Sequence, residues 1–348
     1  MRRMSWLCFS LLMTGFAFGQ WTMQKTGIQA EFRGLSAATG KIAWASGSRN
    51  TYARTTDGGE TWQVASLAEK ESLDFRDVEA VNADIAYLLS IGSGTKSRIY
   101  KTTDGGKHWT AQFISKNPKA FLDAFAFWDP RNGVAVGDPV DGRAMILRTT
   151  DGGTHWVQVP AANLPPALEG EGCFAASGTI IAVQGKNHAW FATGGAVKSR
   201  VFRSTDQGLT WAVSDTPVIA GQSSCGIFSI AFKDARGGIL VGGDYRKVEE
   251  ARDNIAKTTD GGRTWNLIKD SGMGGFRSCI AYLPGSKGMS LIATGPAGTD
   301  FSHDGGMHWT KYDTQGFHAL SLAKSKPAGW AAGAGGRIAT MGPLPAKR

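Results

Sequence analysis

An all-β fold built from repeated units is predicted by three observations. A nine-residue segment that we call the box, seen as KTTDGGKHW at residues 101–109, recurs six times in the chain. Its aspartates are separated by 47, 47, 55, 54 and 44 residues, a period typical of propeller blades. The chain of 348 residues also contains 47 glycines, and its short apolar runs alternate with glycine-rich turns. The box aspartates are Asp57, Asp104, Asp151, Asp206, Asp260 and Asp304, and the tryptophans that end the boxes are Trp62, Trp109, Trp156, Trp211, Trp265 and Trp309.

The residue types of the box predict a hairpin turn rather than an active site. Each box joins two short strands, as RIYKTT and WTAQF flank Asp104. A turn aspartate accepts backbone N–H groups, the glycines adopt angles closed to other residues, and the tryptophan packs between sheets. Three boxes carry a histidine where the other three have threonine, and these histidines belong to separate units. Since six copies cannot form one active site, we predict no catalytic and no metal-binding role for the boxes.

The chain contains seven units although it has only six boxes. The predicted inner strands, one per unit, are FRGLSAA, FRDVEAV, FLDAFAF, EGCFAAS, GIFSIAF, FRSCIAY and FHALSLA. The seventh unit ends at GRIATMGPLPAKR without a box, whereas QWTMQKTG, from Gln20, resembles the strand that follows every box. We therefore predict a seven-bladed β-propeller whose N-terminal strand completes the seventh blade. Such closure removes exposed sheet edges.

The first 19 residues have the pattern of a secretory signal peptide. Arg2 and Arg3 precede an apolar run, and Ala17 and Gly19 are small residues before a cleavage site at Gln20. We therefore predict a signal peptide at 1–19, a single propeller at 20–345, and an exported protein, periplasmic or extracellular. No later segment has the apolar length of a membrane-spanning helix, so we expect none after signal cleavage.

The charge of the chain bears on its expected partners, and its cysteine content bears on the disulfides to expect. The net charge of +9 falls by two when the leader is removed, which suits an anionic partner. No lysine-rich tract is present, so we expect no nucleic-acid partner. Cys173, Cys225 and Cys279 remain, an odd number that leaves at least one thiol free. We expect buried small apolar residues, with a Cys225–Cys279 bridge as the open alternative.

The box resembles the Asp-box, or BNR, repeat of sialidases and several other propellers. Seven units, and the run FWDPRNGVAVGD followed by RTTDGGTHW, resemble the photosystem II stability/assembly factor family more closely, since sialidases have six blades. That resemblance implies a non-enzymatic assembly factor that binds a membrane-protein subunit. It also implies an arginine-rich patch.

Candidate binding residues lie where the chain enters the inner strands, at one mouth of the central channel. Arg33, Arg76 and Arg277 share the register Phe-Arg-small, so their convergence would create an anion site. They are the positions that we match to the arginine-rich patch implied by the resemblance. The open alternative is that each arginine is solvated or paired with Asp77, Asp123 or Glu171. Glu171 and His318 lie where the chain enters the inner strands of the fourth and seventh blades.

A second set of loops at the same mouth adds Asp138, in GDPVDGR, and a long charged insertion, GGDYRKVEEARDN. The insertion contributes Asp244, Tyr245 and Arg246, and we expect one or two helical turns in it. A charge run of this kind is usually a solvated face, and the length of the insertion in a compact repeat is the feature that points to a functional role.

These features favour an exported, non-catalytic binding, assembly or stability factor for an envelope protein complex. We expect a protein partner or an anionic ligand, with a glycan as the alternative partner. A glycoside hydrolase, sialidase-like or other, is the alternative function, and a carbohydrate-binding propeller is another. A hydrolase pair of carboxyl groups would come from Asp77, Asp123, Asp138, Glu171 and Asp244. The Arg-Ile-Pro motif of sialidases is missing from the sequence. We assign no catalytic residue and expect no cofactor, since no dinucleotide-binding motif or metal-ligand cluster appears.

Overall fold

The computed structural model describes residues 21–324 and 328–344. These residues form seven four-stranded antiparallel sheets, which confirms the predicted seven-bladed β-propeller. The predicted signal peptide lies outside the described residues. Within the described residues, the helices are three single 3-10 turns, Gly94–Lys96, Ala161–Asn163 and Ala334–Gly336. No helix in the described part of the chain is long and apolar enough to cross a membrane.

The strands follow one another from the inside of each blade to its outside. Blade 1 contains β2 (Phe32–Ala37), β3 (Ala43–Gly47), β4 (Thr51–Thr55) and β5 (Gln63–Ser66). Blade 2 contains β6 (Asp74–Ala80), β7 (Ala86–Ile91), β8 (Arg98–Thr102) and β9 (Thr110–Ile114). Blade 3 contains β10 (Leu122–Phe127), β11 (Gly133–Val140), β12 (Arg143–Thr149) and β13 (Val157–Gln158). Blade 4 contains β14 (Ile181–Gln184), β15 (His188–Ala192), β16 (Arg200–Ser204) and β17 (Ala212–Asp215).

The remaining blades repeat this order. Blade 5 contains β18 (Cys225–Phe232), β19 (Gly238–Asp244), β20 (Ile255–Thr258) and β21 (Asn266–Leu267). Blade 6 contains β22 (Cys279–Tyr282), β23 (Leu291–Gly295), β24 (Gly298–Ser302) and β25 (Thr310–Asp313). Blade 7 contains β26 (Ala319–Leu322), β27 (Gly329–Ala332), β28 (Ile338–Met341) and, as its outer strand, β1 (Trp21–Gln24).

This up-and-down order gives the ring two different ends. The entry end carries the segments that lead into the inner strands and the loops between second and third strands. The box end carries the turns between first and second strands and all six boxes. The boxes therefore lie at the opposite end from the predicted binding residues.

The N-terminal strand closes the ring as predicted. It pairs antiparallel with β28, from Trp21 opposite Met341 to Gln24 opposite Ile338. The Trp21 indole N–H donates to Thr299 Oγ1 at 3.0 Å. Its ring meets those of Tyr312 and Phe317 edge-on, at centroid distances of 5.7 and 5.5 Å. Because these contacts bury Trp21, the seam between chain ends is a packed core rather than a hydrogen-bonded edge alone.

Side chains that face the channel join neighbouring blades. The hydroxyl oxygens of Ser36, Ser229 and Ser321 each accept a backbone N–H from the inner strand of the next blade at 3.0 Å. The Asp77 carboxylate accepts the N–H of Phe125 in the same way at 2.9 Å. Small polar residues on the inner strands thus satisfy backbone groups that no sheet partner reaches.

The boxes have the turn geometry expected from their residue types. In blade 2, Asp104 accepts the Thr102 hydroxyl and the His108 backbone N–H, both at 2.9 Å. Hydrogen bonds from the His108 backbone and ring lower the pKa of the carboxyl to about 2. The two glycines, Gly105 and Gly106, have φ angles of 73° and 86°. Among residues 21–324 and 328–344, no group of three or more histidine, cysteine or acidic residues is placed to hold a metal ion.

The box tryptophan of blade 2 packs against the preceding blade. Trp109 of blade 2 lies edge-on to Trp44 and Tyr52 of blade 1, at centroid distances of 6.0 and 5.2 Å. The three cysteines among the described residues, Cys173, Cys225 and Cys279, are buried and free, so Cys225 and Cys279 do not form a bridge. The Cys279 thiol instead accepts the Leu320 N–H at 3.4 Å.

Blade 4 differs from the prediction. Its inner strand is β14, whereas the segment EGCFAAS, expected to be that strand, is irregular apart from a bridge between Gly172 and Gly194. Pairing resumes where the Ala192 N–H donates to the Ile180 carbonyl. Residues 173–179 therefore leave the sheet, and we call them the plug.

The plug crosses the channel and contacts three other blades. Its Ala175 carbonyl accepts Arg76 of blade 2 at 3.1 Å. Its Ser177 hydroxyl donates to the Ser278 carbonyl of blade 6 at 2.7 Å. Its Thr179 hydroxyl lies 2.6 Å from that of Ser229 in blade 5. Gly178 has a φ of 74°, and a Cβ there would overlap the Asp77 carboxylate, so this crossing requires glycine.

Candidate ligand-binding site

One structural position, repeated around the ring, forms a pocket at the entry end. The inner strands of blades 1, 2, 3 and 5 carry a bulge near their start, and the extra residues are Arg33, Arg76, Asp123 and Phe228. In blades 6 and 7 the corresponding residues, Ser278 and His318, immediately precede the strand. A bulge re-aims its side chain. All of these except Asp123 line one pocket of about 300 Å³, together with Phe174, Tyr245 and Phe276.

Arg33 is a cation without a partner in this pocket. Its Nε is buried and has no hydrogen-bond partner among the described residues. Burial, followed by the charge of Arg76, lowers the pKa of its guanidinium to about 10, while Asp74 and Glu31 partly offset this. The group is therefore charged at neutral pH and incompletely compensated. An anion entering the pocket would supply the missing acceptor.

Arg76 is already part of the local structure. Its Nε donates to Asp74 at 2.7 Å, and its Nη1 donates to the Ala175 carbonyl of the plug at 3.1 Å. Its side chain is 25% exposed, so the remaining guanidinium face is open to the pocket that it lines. Arg33 and Arg76 therefore act together, one free and one held in position.

His318 is neutral beside these arginines. Burial, and then the charges of Arg33, Arg337 and Arg76, lower its pKa to about 3. Its Nε2 lies 3.7 Å from the Glu31 carboxylate, but a neutral imidazole forms no ion pair there at neutral pH. His318 therefore adds a polar group to the pocket and no positive charge.

Four aromatic side chains, which we call the aromatic wall, line the same pocket as the cations. Phe174, on the plug, stacks on Phe228 at a centroid distance of 4.0 Å with an interplanar angle of 8°. Phe276 meets Phe228 edge-on at 4.6 Å. Tyr245 lies edge-on to both stacked rings, at 6.2 and 6.4 Å, and is 43% exposed. The Arg246 guanidinium lies 5.8 Å from the Tyr245 ring centroid. The wall offers an apolar surface beside a positive one.

Arg277 does not join the pocket, which corrects the predicted cluster of three arginines to a pair. Cys279 pairs with Thr294 as Gly34 pairs with Ser46, so Arg277 occupies the buried position of Phe32, and Ser278 that of Arg33. The guanidinium donates to Asp300 Oδ2 through Nε at 2.8 Å and Nη2 at 2.6 Å. It is 1% exposed. A shift of one residue along a strand moves a side chain to the opposite face of the sheet. Matching the sequences by their Phe-Arg pair put Arg277 at the position of Arg33, which Ser278 occupies in the structure.

Glu171 is also placed away from the pocket. Its carboxylate forms a buried ion pair with Arg200, with 2.8 Å from Nε to Oε1. It also accepts the Thr193 hydroxyl at 2.6 Å and the Leu168 N–H at 2.9 Å. Its acceptors are therefore already used within blade 4.

The other predicted residues support the loops around the pocket. Asp138 accepts the Cys173 N–H at 2.8 Å, at the start of the plug, and burial raises its pKa to about 6. Asp244 accepts the Arg246 N–H at 2.9 Å. The insertion that follows forms two consecutive turns, not the expected helical turn. Tyr245 is thus the member of this group that lines the pocket.

The carboxyl groups considered for hydrolysis do not line the pocket. Burial raises the pKa values of Asp77 and Asp123 well above their usual range. Asp77 uses its oxygens for the N–H groups of Val78 and Phe125. Among the described residues, those that line the pocket include no carboxylic acid.

Sequence reasoning missed Phe174, Phe228, Phe276 and Ser278. One signal was available for the plug, because the box spacing of 55 residues between Asp151 and Asp206 exceeds the two 47-residue spacings before it. The spacing shows that residues are added, but not that they enter the channel.

The fold is a seven-bladed β-propeller, and a pocket lined by cationic and aromatic side chains lies at one mouth of its channel. No protein-family model and no curated protein matches the chain. Among solved structures, YCF48 bound to a D1 peptide is similar over 93% of this chain and 97% of that chain, with a TM-score of 0.65 and 16% identity. YCF48 from Cyanidioschyzon merolae is similar over 93% and 99%, with a TM-score of 0.65 and 17% identity.

An ancestral GH74 enzyme is similar over 89% of this chain but only 44% of that chain, with a TM-score of 0.61 and 14% identity. At these identities the likenesses show the fold alone. The resemblance to a seven-bladed assembly-factor propeller is confirmed at that level.

Proposed function

We propose that this protein is an exported, non-catalytic propeller that binds an acidic segment of a partner protein and acts as an assembly or stability factor. The observation that carries the proposal is the partnerless Arg33 guanidinium beside Arg76, in one pocket with the aromatic wall. A buried cation without an acceptor is costly, and a ligand carboxylate removes that cost. Hydrogen bonds to charged groups contribute about 1.5–3 kcal/mol each.

The two walls favour a segment that carries an acidic group next to an apolar side chain. The carboxylate would accept from Arg33 and from the open part of Arg76, while the apolar group packs on Tyr245 and Phe174. A pocket of about 300 Å³ holds one or two side chains, so the rest of the segment would lie on the loops of the entry end.

Two further considerations support a protein partner. The similar propeller YCF48 is described as bound to a D1 peptide, which is a property of that protein and supports the same mode here. The predicted leader at 1–19 supports a role outside the cytoplasm, where an envelope complex would be the partner. The pocket supplies no carboxyl pair for glycoside hydrolysis, so we favour binding over catalysis.

The test is affinity capture from an envelope extract with the mature protein as bait. The variant bait is Arg33→Met, and the matched control is Arg131→Met, an exposed arginine at the box end. One protein retained by the parent and the control but lost with Arg33→Met is the expected result. Equal capture by all three baits contradicts the proposal, and hydrolysis of a polysaccharide panel by the parent would replace it with the enzyme alternative.

A labelled peptide from the captured protein then tests the chemistry. Fluorescence anisotropy should show at least ten-fold weaker binding to Arg33→Met than to the parent. A peptide with asparagine or glutamine in place of each acidic residue should lose a similar factor on the parent. If the amide peptide binds as tightly as the acidic one, the proposed carboxylate contact is wrong.

A further inference from the structure

A second pocket opens at the box end of the channel, on the other side of the plug. It has a volume of about 310 Å³ and lies between the ends of the inner strands of blades 7, 1, 2 and 3. Its polar lining includes the Glu79 carboxyl, from β6, and the Lys324 ammonium at its rim. Since it shares no residue with the Arg33–Arg76 pocket, its ligand is independent of the function proposed above.

Glu79 is a carboxyl group without a partner in this pocket. No hydrogen bond from the described residues acts on it. Burial raises its pKa to about 7, and the positive charge of Lys324 opposes that rise only in part. No cation of the described chain lies within ion-pair distance of it. The pocket thus contains an acceptor that the fold itself does not use.

The groups around Glu79 complete a site for a positive charge. The indole N–H of Trp128 donates to the His188 carbonyl at 2.8 Å, which fixes the ring in the pocket wall. Asp129 accepts the backbone N–H groups of Arg131 and Asn132 at 2.8 and 2.9 Å. The Asn132 side chain, and then these backbone bonds, hold the pKa of Asp129 below its usual value, so it is ionised. An aromatic face and carboxylates together attract cations.

We propose that this pocket binds an organic cation, with a primary ammonium group paired to Glu79 and its apolar body against Trp128. An ammonium carries three N–H donors and no acceptor, which matches an unused carboxyl. The Ser36 and Ser321 hydroxyls, fixed by their inter-blade hydrogen bonds, provide further oxygens in the same wall. The ammonium can come from a free amine or from a lysine side chain of another protein.

Binding to this site is coupled to protons, because the ammonium favours the ionised carboxylate. The groups that face Glu79 are Asp77 on the same strand, Tyr87 opposite it on β7, Asp129 and Lys324. Burial raises the pKa of Asp77 well above its usual range and that of Tyr87 to about 12. Glu79 is the group among these whose pKa lies near 7. Affinity for an amine should therefore rise from pH 6 to pH 8, with proton release near pH 7.

Calorimetric titration tests this site with two probes, benzylamine for free amines and N-acetyl-lysine amide for a lysine side chain. At pH 8 we expect one or both to bind, and benzyl alcohol, which lacks the charge, to bind at least ten-fold more weakly. Repeating the titration at pH 7 in two buffers of different ionisation heat measures the released proton. The probe that binds more tightly identifies the source of the ammonium.

The variants separate this site from the rest of the molecule. Glu79→Gln should weaken binding at least ten-fold, while Glu60→Gln, an exposed acid in a box, leaves it unchanged. Lys324→Gln removes the competing charge and should tighten binding about three-fold. Arg33→Met should bind the amine as the parent does, so failure here is distinct from failure of the peptide site. Heat from neither probe, or unchanged affinity in a folded Glu79→Gln variant, overturns the proposal.

Discussion

The guanidinium of Arg76 donates a hydrogen bond of 3.1 Å to the carbonyl of Ala175, a residue 99 positions away in the sequence. This bond connects blade 2 to the plug, the segment of blade 4 that crosses the channel. Arg33, one blade away, makes no such bond. Two arginines in one pocket therefore have different roles, since one supports the protein structure and the other is left for a ligand.

Replacing these arginines should separate stability from binding. Arg76→Met removes the partners of Asp74 and of the plug carbonyl, so we expect a loss of about 1–3 kcal/mol in the free energy of unfolding. Arg33→Met removes a half-buried charge, whose buried Nε has no hydrogen-bond partner among the described residues, so stability should be unchanged or higher.

Urea unfolding, compared with peptide anisotropy on the same samples, measures both effects. Both variants should bind the acidic peptide at least ten-fold more weakly. A large loss of stability in Arg33→Met would show that its guanidinium has a structural partner.

His318 should make the protein more sensitive to acid. Its pKa is about 3 in the folded state and near 6.5 when unfolded, so the unfolded chain binds more protons between these values. The stability that neutral His318 contributes is complete above pH 6.5 and is lost as the pH falls towards 3. Relative to His318→Gln, the parent should lose on the order of 3 kcal/mol between pH 7 and pH 4. Parallel stability curves for the two proteins would contradict this.

The seam between the chain ends should depend on Trp21. Trp21→Ala removes a buried indole, its bond to Thr299 and two ring contacts, and should cost about 3–5 kcal/mol. Met23→Ala lies on the same strand with 45% of the side chain exposed and is the matched control, expected to cost less than about 0.5 kcal/mol. Thermal or urea unfolding measures both. Similar values for the two variants would mean that backbone pairing alone closes the ring.

Asp300 should be essential because it neutralises Arg277 inside blade 6. Asp300→Ala leaves a buried guanidinium uncompensated and should cost about 3–5 kcal/mol. The double variant with Arg277→Met should recover part of that loss, since the charge is removed with its partner. Peptide binding by the folded protein should be unchanged in the double variant. If the folded double variant loses peptide binding, Arg277 contributes to the ligand site and its assignment to a structural role is wrong.

A box aspartate should affect folding and not binding. Asp104→Ala removes the acceptor for the Thr102 hydroxyl and the His108 backbone N–H, and should lower the melting temperature. Because the box lies at the opposite end from the Arg33–Arg76 pocket, peptide affinity should be unchanged at temperatures where the variant is folded. Weaker binding by a variant of normal stability would contradict the structural role.

The architecture could be predicted because its determinants are local and repeated. Each box is a turn whose aspartate, glycines and hydroxyl interact within seven residues, so its geometry can be read directly from the letters. The closure by β1 could be predicted because the seventh unit has no outer strand of its own, while the N-terminal strand precedes the first unit and belongs to no other. Trp21 and its neighbours match the segments that follow the boxes.

The site could be predicted only where the repeat kept its register. Arg33 and Arg76 follow a phenylalanine that is buried in its blade, whereas Phe276 is placed one residue earlier, and Arg277 takes the buried position. Nothing in the letters FRSCIAY marks that shift. The plug was missed for another reason, because the contacts that hold Ala175 and Ser177 come from blades 2 and 6, which are distant in sequence.

The closure of blade 7 also orients the whole molecule. Trp21 and Met341 are cross-strand neighbours at the box end, so the described chain enters and leaves the ring there. The Arg33–Arg76 pocket is at the far end of the channel. A fusion partner or a chemical anchor attached at either terminus would therefore hold the propeller with that pocket pointing away from the point of attachment. Immobilising the protein through its termini should leave the pocket accessible to a partner in solution.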